Sequence, residues 1–513
     1  MTLSSHKTRI VCTIGPASQA PRTLERMLRQ GMDVARLNLA HGDFESHRAT
    51  IAAVRAAAER VGRRVAVMAD LPGPKLRVGK LAGEVVHLKR GQVVRLVAAA
   101  AGGDARPKDA ALLAIPLPLE RIPTTLKARD DVFLNDGLIQ LRVLSGGDSH
   151  EASARVVVGG ELRSRDGMSF PGLDLGISAF TDRDRELLAF ALDQGVDAVA
   201  VSFVQGPEDI TAVRAAAVAL GRDPFLVAKI ERARAVERID DILEVTDALM
   251  VARGDLGVEI PIERVAVAQK LLIGRANAAG RPVITATQML ESMTENRRPT
   301  RAEVTDVTNA VLDGTDCVML SEETAMGMFP VEAVAVMSRV TTATERHLPN
   351  TSRPPADAQT VRGVLAEEAA DTAERLDARY IMVPTETGTT ARAIARLRPR
   401  AWIVAFSPFA ETCQRLQFSR GVYPVYVPEA VHRRSAPLRP GADVAPQEAE
   451  ITLSCTEIDW HGIARRWVTA EKLKPGLAVM IQGNNRLEVI DLADDWVGSS
   501  AAPSASPLSR RSR

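Results

Sequence analysis

Short apolar runs recur along the chain with helical patterns between them. They read RIVCTI (9–14), DVARLN (33–38), RVAVMAD (64–70), DAVAVSF (197–203), FLVAKIE (225–231), ALMVAR (248–253), PVITAT (282–287) and DCVMLS (316–321). Each has strand length, is rich in Val and Ile, and lacks polar alternation, which marks parallel strands buried on both faces. The intervening segments include RTLERMLRQG, FESHRATIAAVRAAAERVG, DITAVRAAAVALG and RAEVTDVTNAVLDG, all ending in the glycine that favours a helix C-terminus. Eight strands with helices between them predict a closed (β/α)₈ barrel. A doubly wound open sheet is the rival, but no G-x-G-x-x-G follows the first strand.

The rhythm breaks once, after the third run. Residues 74–172 carry VVHLKRGQVVRLV, DDVFLNDGLIQLRVL and EASARVVVGG, where alternation, β-branched residues and Gly turns predict a small all-β domain. Inserted at the C-terminal end of a barrel strand, it is placed to act as a lid over that end. The predicted organisation is therefore a barrel over 1–73 and 173–350, the β domain over 74–172, and a C-terminal α/β domain over 357–497. A Pro-rich linker near 350–356 precedes the last domain, and a polar loop, HRRSAPLRPGADVAPQEAE, interrupts it. The Ser/Pro/Ala-rich tail 498–513 is expected to be disordered.

Composition narrows the function classes. The chain has 513 residues, 46% apolar and 25% charged, with a formal net charge of +1. That balance supplies no bulk field for nucleic acid or an anionic membrane. No run is long and apolar enough to span a bilayer, and the start lacks a signal-peptide core. The four cysteines lie far apart without a C-x-x-C, so neither zinc nor a redox pair is indicated, and a cytoplasmic protein is the simple expectation.

The polar residues gather where barrel strands end: Arg36 and Asn38, Asp70, Lys229 and Glu231, Asp255, and Thr287. Residues two apart on a strand face one way, so Lys229 and Glu231 share a spot that the next strand supplies with Asp255. One ammonium beside two carboxylates suits a divalent cation holding a phosphorylated substrate. The bland alternative is a buried Lys–Glu ion pair with Asp255 capping a helix.

Longer strings carry a resemblance. KTRIVCTIGPAS, DVARLNLAHG, LPGPKLRVG, KIERARAVERIDDIL, MVARGDLGVEIP, ITATQMLESM and RPTRAEVTDVTNAVLDGTDCVMLSEETA resemble, in order and over almost the whole chain, the pyruvate kinase family. The resemblance implies phosphoryl transfer from phosphoenolpyruvate to ADP, giving pyruvate and ATP. It implies Mg²⁺ or Mn²⁺ on Glu231 and Asp255, with Lys229 and Arg36 on the phosphoryl group. It puts the substrate carboxylate at Gly254 and the following amides, at the start of a helical turn, and Thr287 near the enolate's methylene face. Arg77, His41 and Asn38 fall on the nucleotide side, although His41 reads equally as a loop histidine. A homotetramer is also implied.

Four positions depart from the family pattern. K⁺-requiring relatives bind K⁺ through Asn and Ser of one string and Asp and Thr of another. Here Asn38 and Asp70 remain, while Ala40 and Leu71 offer no oxygen. Lys75 stands where those relatives carry Glu; either it replaces the monovalent cation, so that K⁺ is not required, or it faces solvent at the lid hinge. Glu322 replaces a glycine and is strained if that backbone needs positive φ. In the last domain Thr385, Thr387, Gly388, Thr389 and Thr390 form either a strand-to-helix turn or a loop for a phosphorylated effector. A non-catalytic paralogue sensing phosphoenolpyruvate or a sugar phosphate is the alternative function, and its expected signature is loss of Lys229, Glu231, Asp255 or Thr287; all four are present.

Overall fold

The computed structural model describes residues 3–81, 83, 85–98, 112–119, 121–146, 151–173, 175–348, 360–428, 458–483 and 486–492. The linker at 350–356, the polar stretch 432–450, Cys455 and the tail 498–513 lie outside the described residues.

The first three runs form β1 (Arg9–Thr13), β2 (Met32–Asn38) and β3 (Ala66–Leu71). The insertion follows as β4 (Val85–Leu88), β5 (Val93–Ala98), β6 (Ala114–Leu117), β7 (Asp131–Leu134), β8 (Ile139–Ser145), β9 (Glu151–Val158), β10 (Gly160–Arg163) and β11 (Met168–Ser169). The barrel resumes with β12 (Ala198–Val201), β13 (Phe225–Ile230), β14 (Ala248–Ala252), β15 (Val283–Ala286) and β16 (Cys317–Leu320). Among the described residues, these eight strands close in the order β1-β16-β15-β14-β13-β12-β3-β2, all pairs parallel.

Two apolar layers explain why the runs are continuous. Outward side chains such as Ile10, Leu37, Val67, Leu226 and Leu249 pack against the helices. Inward ones such as Val11, Val34, Met68, Ala200, Val227 and Met250 fill the lumen. Because strand side chains alternate, the inward rows continue two residues on: Val34 to Arg36, Met68 to Asp70, Ala200 to Ser202, Val227 to Lys229. Each row ends in a polar residue at the C-terminal mouth, which is where this fold keeps its sites.

The helices run as the periodicity indicates, for example Pro21–Gln30, Phe44–Val61, Pro207–Ala219 and Arg301–Asp313. Gly31, Gly62 and Gly314 take positive φ at helix ends. The segment ARAVERIDDILEVT is two helices, Ala233–Glu237 and Ile239–Val245, meeting at Arg238. A helix absent from the sequence reading, Pro330–Glu345, closes the last βα unit.

The insertion has its own core and, among the described residues, a six-stranded sheet, β11-β7-β8-β9-β5-β6, beside a two-stranded ribbon of β10 and β4. The C-terminal domain holds β17 (Tyr380–Pro384), β18 (Trp402–Ser407), β19 (Val422–Tyr426), β20 (Leu477–Gln482) and β21 (Arg486–Asp491), ordered β19-β18-β17-β20-β21. It closes the barrel floor. Phe418 is fully buried, joins the lumen cluster, and stacks on Phe225 with ring centroids 5.2 Å apart. Beside it Arg9 pairs with Asp33 at 3.0 Å and donates to the Ser419 carbonyl at 3.2 Å.

Among the described residues no helix is long and apolar enough to cross a membrane. Cys12, Cys317 and Cys413 are buried free thiols. Burial pushes the Cys12 and Cys317 thiols well up, which leaves them inert.

Candidate active site

At the mouth, one carboxylate joins two cations. The Arg36 Nε donates to Asp70 Oδ2 at 2.7 Å, and Nη2 lies 2.6 Å from the same oxygen. The other oxygen, Oδ1, faces the Lys229 ammonium at 3.2 Å. Arg36 Nη1 also donates to the Thr13 hydroxyl of β1 at 2.9 Å. Lys229 donates to Ser202 Oγ at 2.6 Å, and Ser202 in turn donates to the Leu71 carbonyl at 2.7 Å. Groups at the ends of β1, β3 and β12 thus fix the two cationic heads, with their stems buried in the lumen.

Lys229 also stands 3.0 Å from Glu231 Oε1, while the Phe203 N–H donates to Oε2 at 2.7 Å. The two shifts look inconsistent for a simple ion pair: the ammonium titrates higher than usual, yet the Glu231 carboxyl is pushed up to about 7. Sharing explains it. Burial disfavours the Glu231 charge and Asp255 repels it, and Lys229 is divided between Glu231 and Asp70. Asp70 is the better-compensated partner. Burial raises its pKa, but Lys229 and Arg36 outweigh burial and hold it below the usual carboxylate range.

The residues fit a divalent cation. Glu231 lacks a full counter-charge, and Asp255 adds a second carboxylate at the first turn of the helix Arg253–Glu259. A pocket of about 30 Å³ is lined by Glu231, Asp255, Lys75 and Asp136, room for an ion or a water. Two carboxylates are the share a protein gives Mg²⁺, the remaining ligands being substrate oxygens and water. A wider cleft of about 870 Å³ opens beside it, lined by Asp255, Gly254, Thr287, Glu291 and Glu322 among others.

Thr287 sits just past β15 in a left-handed conformation, φ 68°, and Gln288 follows at φ 53°. A β-branched residue there is strained by about 1–3 kcal/mol and persists only where its surroundings over-determine it. The Thr287 hydroxyl donates to the Ala286 carbonyl at 2.6 Å and accepts the Gly254 N–H at 2.8 Å. The Gly254 amide, read from sequence as open to a carboxylate, is therefore taken by Thr287. Nor is Gly254 required by a turn: its φ is negative, and an added Cβ would meet only Thr287 atoms at 3.6–3.7 Å. What the missing side chain leaves is space on the cleft side.

The other residues singled out from the sequence are placed as follows. Lys75 does not pair with Asp70; its ion pairs run to Asp136 at 3.1 Å and Asp255 at 3.9 Å. Asn38 accepts from the Ala40 N–H at 3.2 Å, closing its own loop. His41 is exposed, and its carbonyl is 2.8 Å from His47 Nε2. Arg77 bridges β-fashion to Gly167, with its guanidinium on the Arg165 carbonyl at 3.0 Å. Glu322 opens the short helix Glu322–Ala325 at negative φ, so the strain foreseen there is absent. In the C-terminal domain Gly388 (φ 78°) precedes a seven-residue helix, Thr389–Ala395. Thr385 Oγ1 accepts the Gly388 N–H at 2.9 Å, and the Thr387 and Thr389 hydroxyls pair at 2.8 Å, so those groups are satisfied within the loop.

Ser202, Phe203, Glu259 and Arg253 escaped the sequence reading. Arg232 pairs with Glu259 at 2.9 Å, and Glu259 accepts from Ser169 of the inserted domain at 2.6 Å. The signal for Ser202 was available, since it continues the inward row of β12.

The profile described as "Pyruvate kinase, barrel domain" matches residues 5–334, and "Pyruvate kinase, alpha/beta domain" matches 364–452. The chain is 44% identical over 444 residues to the curated pyruvate kinase of Thermococcus litoralis, covering 84% of this chain and 90% of that one. It is 40% identical over 430 residues to that of Mycobacterium tuberculosis, covering 82% and 88%. A crystal structure of a pyruvate kinase from Cryptosporidium parvum superposes with a TM-score of 0.82 at 34% identity, covering 95% of this chain and 96% of that one.

Proposed function

Since the chain belongs to the pyruvate kinase family, its reaction is phosphoryl transfer from phosphoenolpyruvate to ADP, and we propose that the mouth residues divide that work as follows. The observation that carries the assignment is Lys229 standing between Asp70 and Glu231, beside Arg36, at the C-terminal ends of the strands.

The P–O bond to the enolate oxygen breaks, an ADP β-phosphate oxygen bonds to phosphorus, and the enolate's methylene carbon takes one proton drawn from solvent. Lys229 and Arg36 neutralise charge on the moving phosphoryl group, held ready by Asp70 and Ser202 so that little reorganisation is needed. Glu231 and Asp255 would hold Mg²⁺ or Mn²⁺, which supplies positive charge to substrate oxygens when bound. The cleft beside Gly254 takes the substrate carboxylate, where the helix Arg253–Glu259 presents its positive end. Thr287, too weak an acid to protonate carbon directly, orients the proton-bearing water. Arg77, His41 and Asn38 serve the nucleotide side. Lys75 puts fixed positive charge beside Asp255, so that K⁺ is not required.

The retained Lys229, Glu231, Asp255 and Thr287 weigh against a non-catalytic sensor. A homotetrameric, cytoplasmic, glycolytic enzyme with a phosphorylated effector at Thr385–Thr390 completes the proposal. A lactate-dehydrogenase-coupled assay with phosphoenolpyruvate and ADP tests the whole assignment. Turnover in the parent, abolished in Lys229→Met, is expected; a Lys229→Met enzyme with parental turnover overturns it.

A further inference from the structure

We propose that Arg253 is a positioning residue for the proton-transfer step, holding the strained Thr287 turn through backbone carbonyls. The inference rests on the reading of Thr287 given above.

Arg253 directly precedes Gly254, at the start of the short helix that carries Asp255. Its side chain turns back to β15. Nε donates to the Ala286 carbonyl at 3.1 Å, and Nη2 donates to the Thr287 carbonyl at 2.7 Å, with Met289 Sδ at 2.8 Å. From the far side, Nη1 donates to Gln269 Oε1 at 3.2 Å and pairs with Asp306 at 2.7 Å. Every donor direction of the planar fork is therefore engaged.

The geometry is specific to this turn. The two carbonyls Arg253 holds, of Ala286 and Thr287, belong to the peptides on either side of the left-handed Thr287. The Thr287 hydroxyl leans on the same Ala286 carbonyl and accepts the Gly254 N–H. Main chain and side chain of Arg253–Gly254 thus grip one threonine from both sides. A lysine in place of Arg253 supplies a point charge without the fork and cannot reach both carbonyls and Asp306 together. With the grip loosened, the turn relaxes toward negative φ and swings the hydroxyl away. A misplacement of about 1 Å lowers a step's rate by up to about 10²-fold.

The test uses the full-length enzyme with Arg253→Lys and Arg253→Gln. Substrate labelled stereospecifically at its methylene carbon is turned over in isotopic water. The readouts are kcat, both KM values and the configuration of the methyl group in pyruvate. The expected result is a kcat at least tenfold lower, KM values within threefold, and partial loss of methyl configuration, because enolpyruvate that leaves unprotonated ketonises on either face. Loss of a merely structural brace lowers the melting temperature but leaves the configuration intact. Parental kcat with a fully stereospecific methyl group overturns the inference. Should both variants fail to fold, Asp306→Asn and Gln269→Met release the guanidinium from its far side; a twofold to fivefold lower kcat with the same configurational leakage is expected, and parental values overturn the proposal. Thr287→Ala separates the two claims. If it behaves as the parent, the reading of Thr287 falls and the inference with it. If it is impaired while the Arg253 variants are not, the inference about Arg253 alone falls.

Discussion

The Lys229 ammonium stands 3.0 Å from the Glu231 carboxylate, and both side chains are almost wholly buried at the barrel mouth. Asp70 lies on the other side of the same ammonium, 3.2 Å away. One positive charge divided between two buried negatives leaves a deficit, and the deficit falls on Glu231 because Asp70 has Arg36 as well.

Replacing Lys229 by Met removes the charge assigned above to the phosphoryl group. Turnover should fall by about 10²–10³-fold or more, the scale for losing a preorganised electrostatic group. Mn²⁺ binding, followed by electron paramagnetic resonance, should survive, since Glu231 and Asp255 are untouched. Turnover within a factor of a few of the parent removes Lys229 from its assigned role.

Protons should compete with the metal at Glu231, whose carboxyl is pushed up to about 7 by burial and by Asp255. The apparent KM for Mg²⁺ should therefore rise as pH drops below about 7. The metal-free protein should behave in the opposite sense. A carboxyl with a raised folded pKa binds its proton more tightly folded than unfolded. Its contribution to stability is full below the unfolded value and is lost as pH rises through about 7. Thermal melts without metal should show Tm falling over that window, and saturating Mg²⁺ should flatten the slope. A pH-independent KM for Mg²⁺ across that range contradicts the assignment.

Monovalent cations should matter little. With tetramethylammonium as the only monovalent ion, adding K⁺ should change kcat by less than about twofold, because Lys75 already lies 3.9 Å from Asp255. Lys75→Met should lower the rate several-fold. A large restoration of the parent enzyme by K⁺ rules out the role given to Lys75.

Gly254→Ala should fold normally, since φ there is negative and the new methyl meets only ordinary contacts with Thr287. The methyl occupies the space assigned to the substrate carboxylate, so KM for phosphoenolpyruvate should rise about tenfold while KM for ADP stays close to the parent's. Equal effects on both substrates argue against a carboxylate site at this glycine.

The barrel was legible because its strands are buried on both faces, so each reads as an unbroken apolar run with a polar end. Lys229 and Glu231 could be paired on one face from their spacing alone. The second carboxylate on Lys229, Asp70, was not legible as its partner, because β3 meets β13 only through β12 between them, a proximity of closure rather than of sequence. Arg253 was missed for the same reason: its partners lie at the end of another strand and just past it, at Ala286 and Thr287. The left-handed Thr287 had no signal at all, since a β-branched residue is among the last one would assign to positive φ. At Lys75 the partner was not legible, because the inserted domain brings Asp136 to meet it.

Phe418 has a consequence for how the chain can be divided. Its ring belongs to the C-terminal domain yet completes the apolar packing inside the barrel, stacked on Phe225, with the Cys317 thiol donating to its carbonyl at 3.3 Å. Cutting the polypeptide ahead of that domain would uncork the cylinder and wet Val11, Val34 and Met319 from beneath. The catalytic half is thus not a free-standing cassette. Transplanting it onto another C-terminal domain requires that an aromatic stopper travel with it.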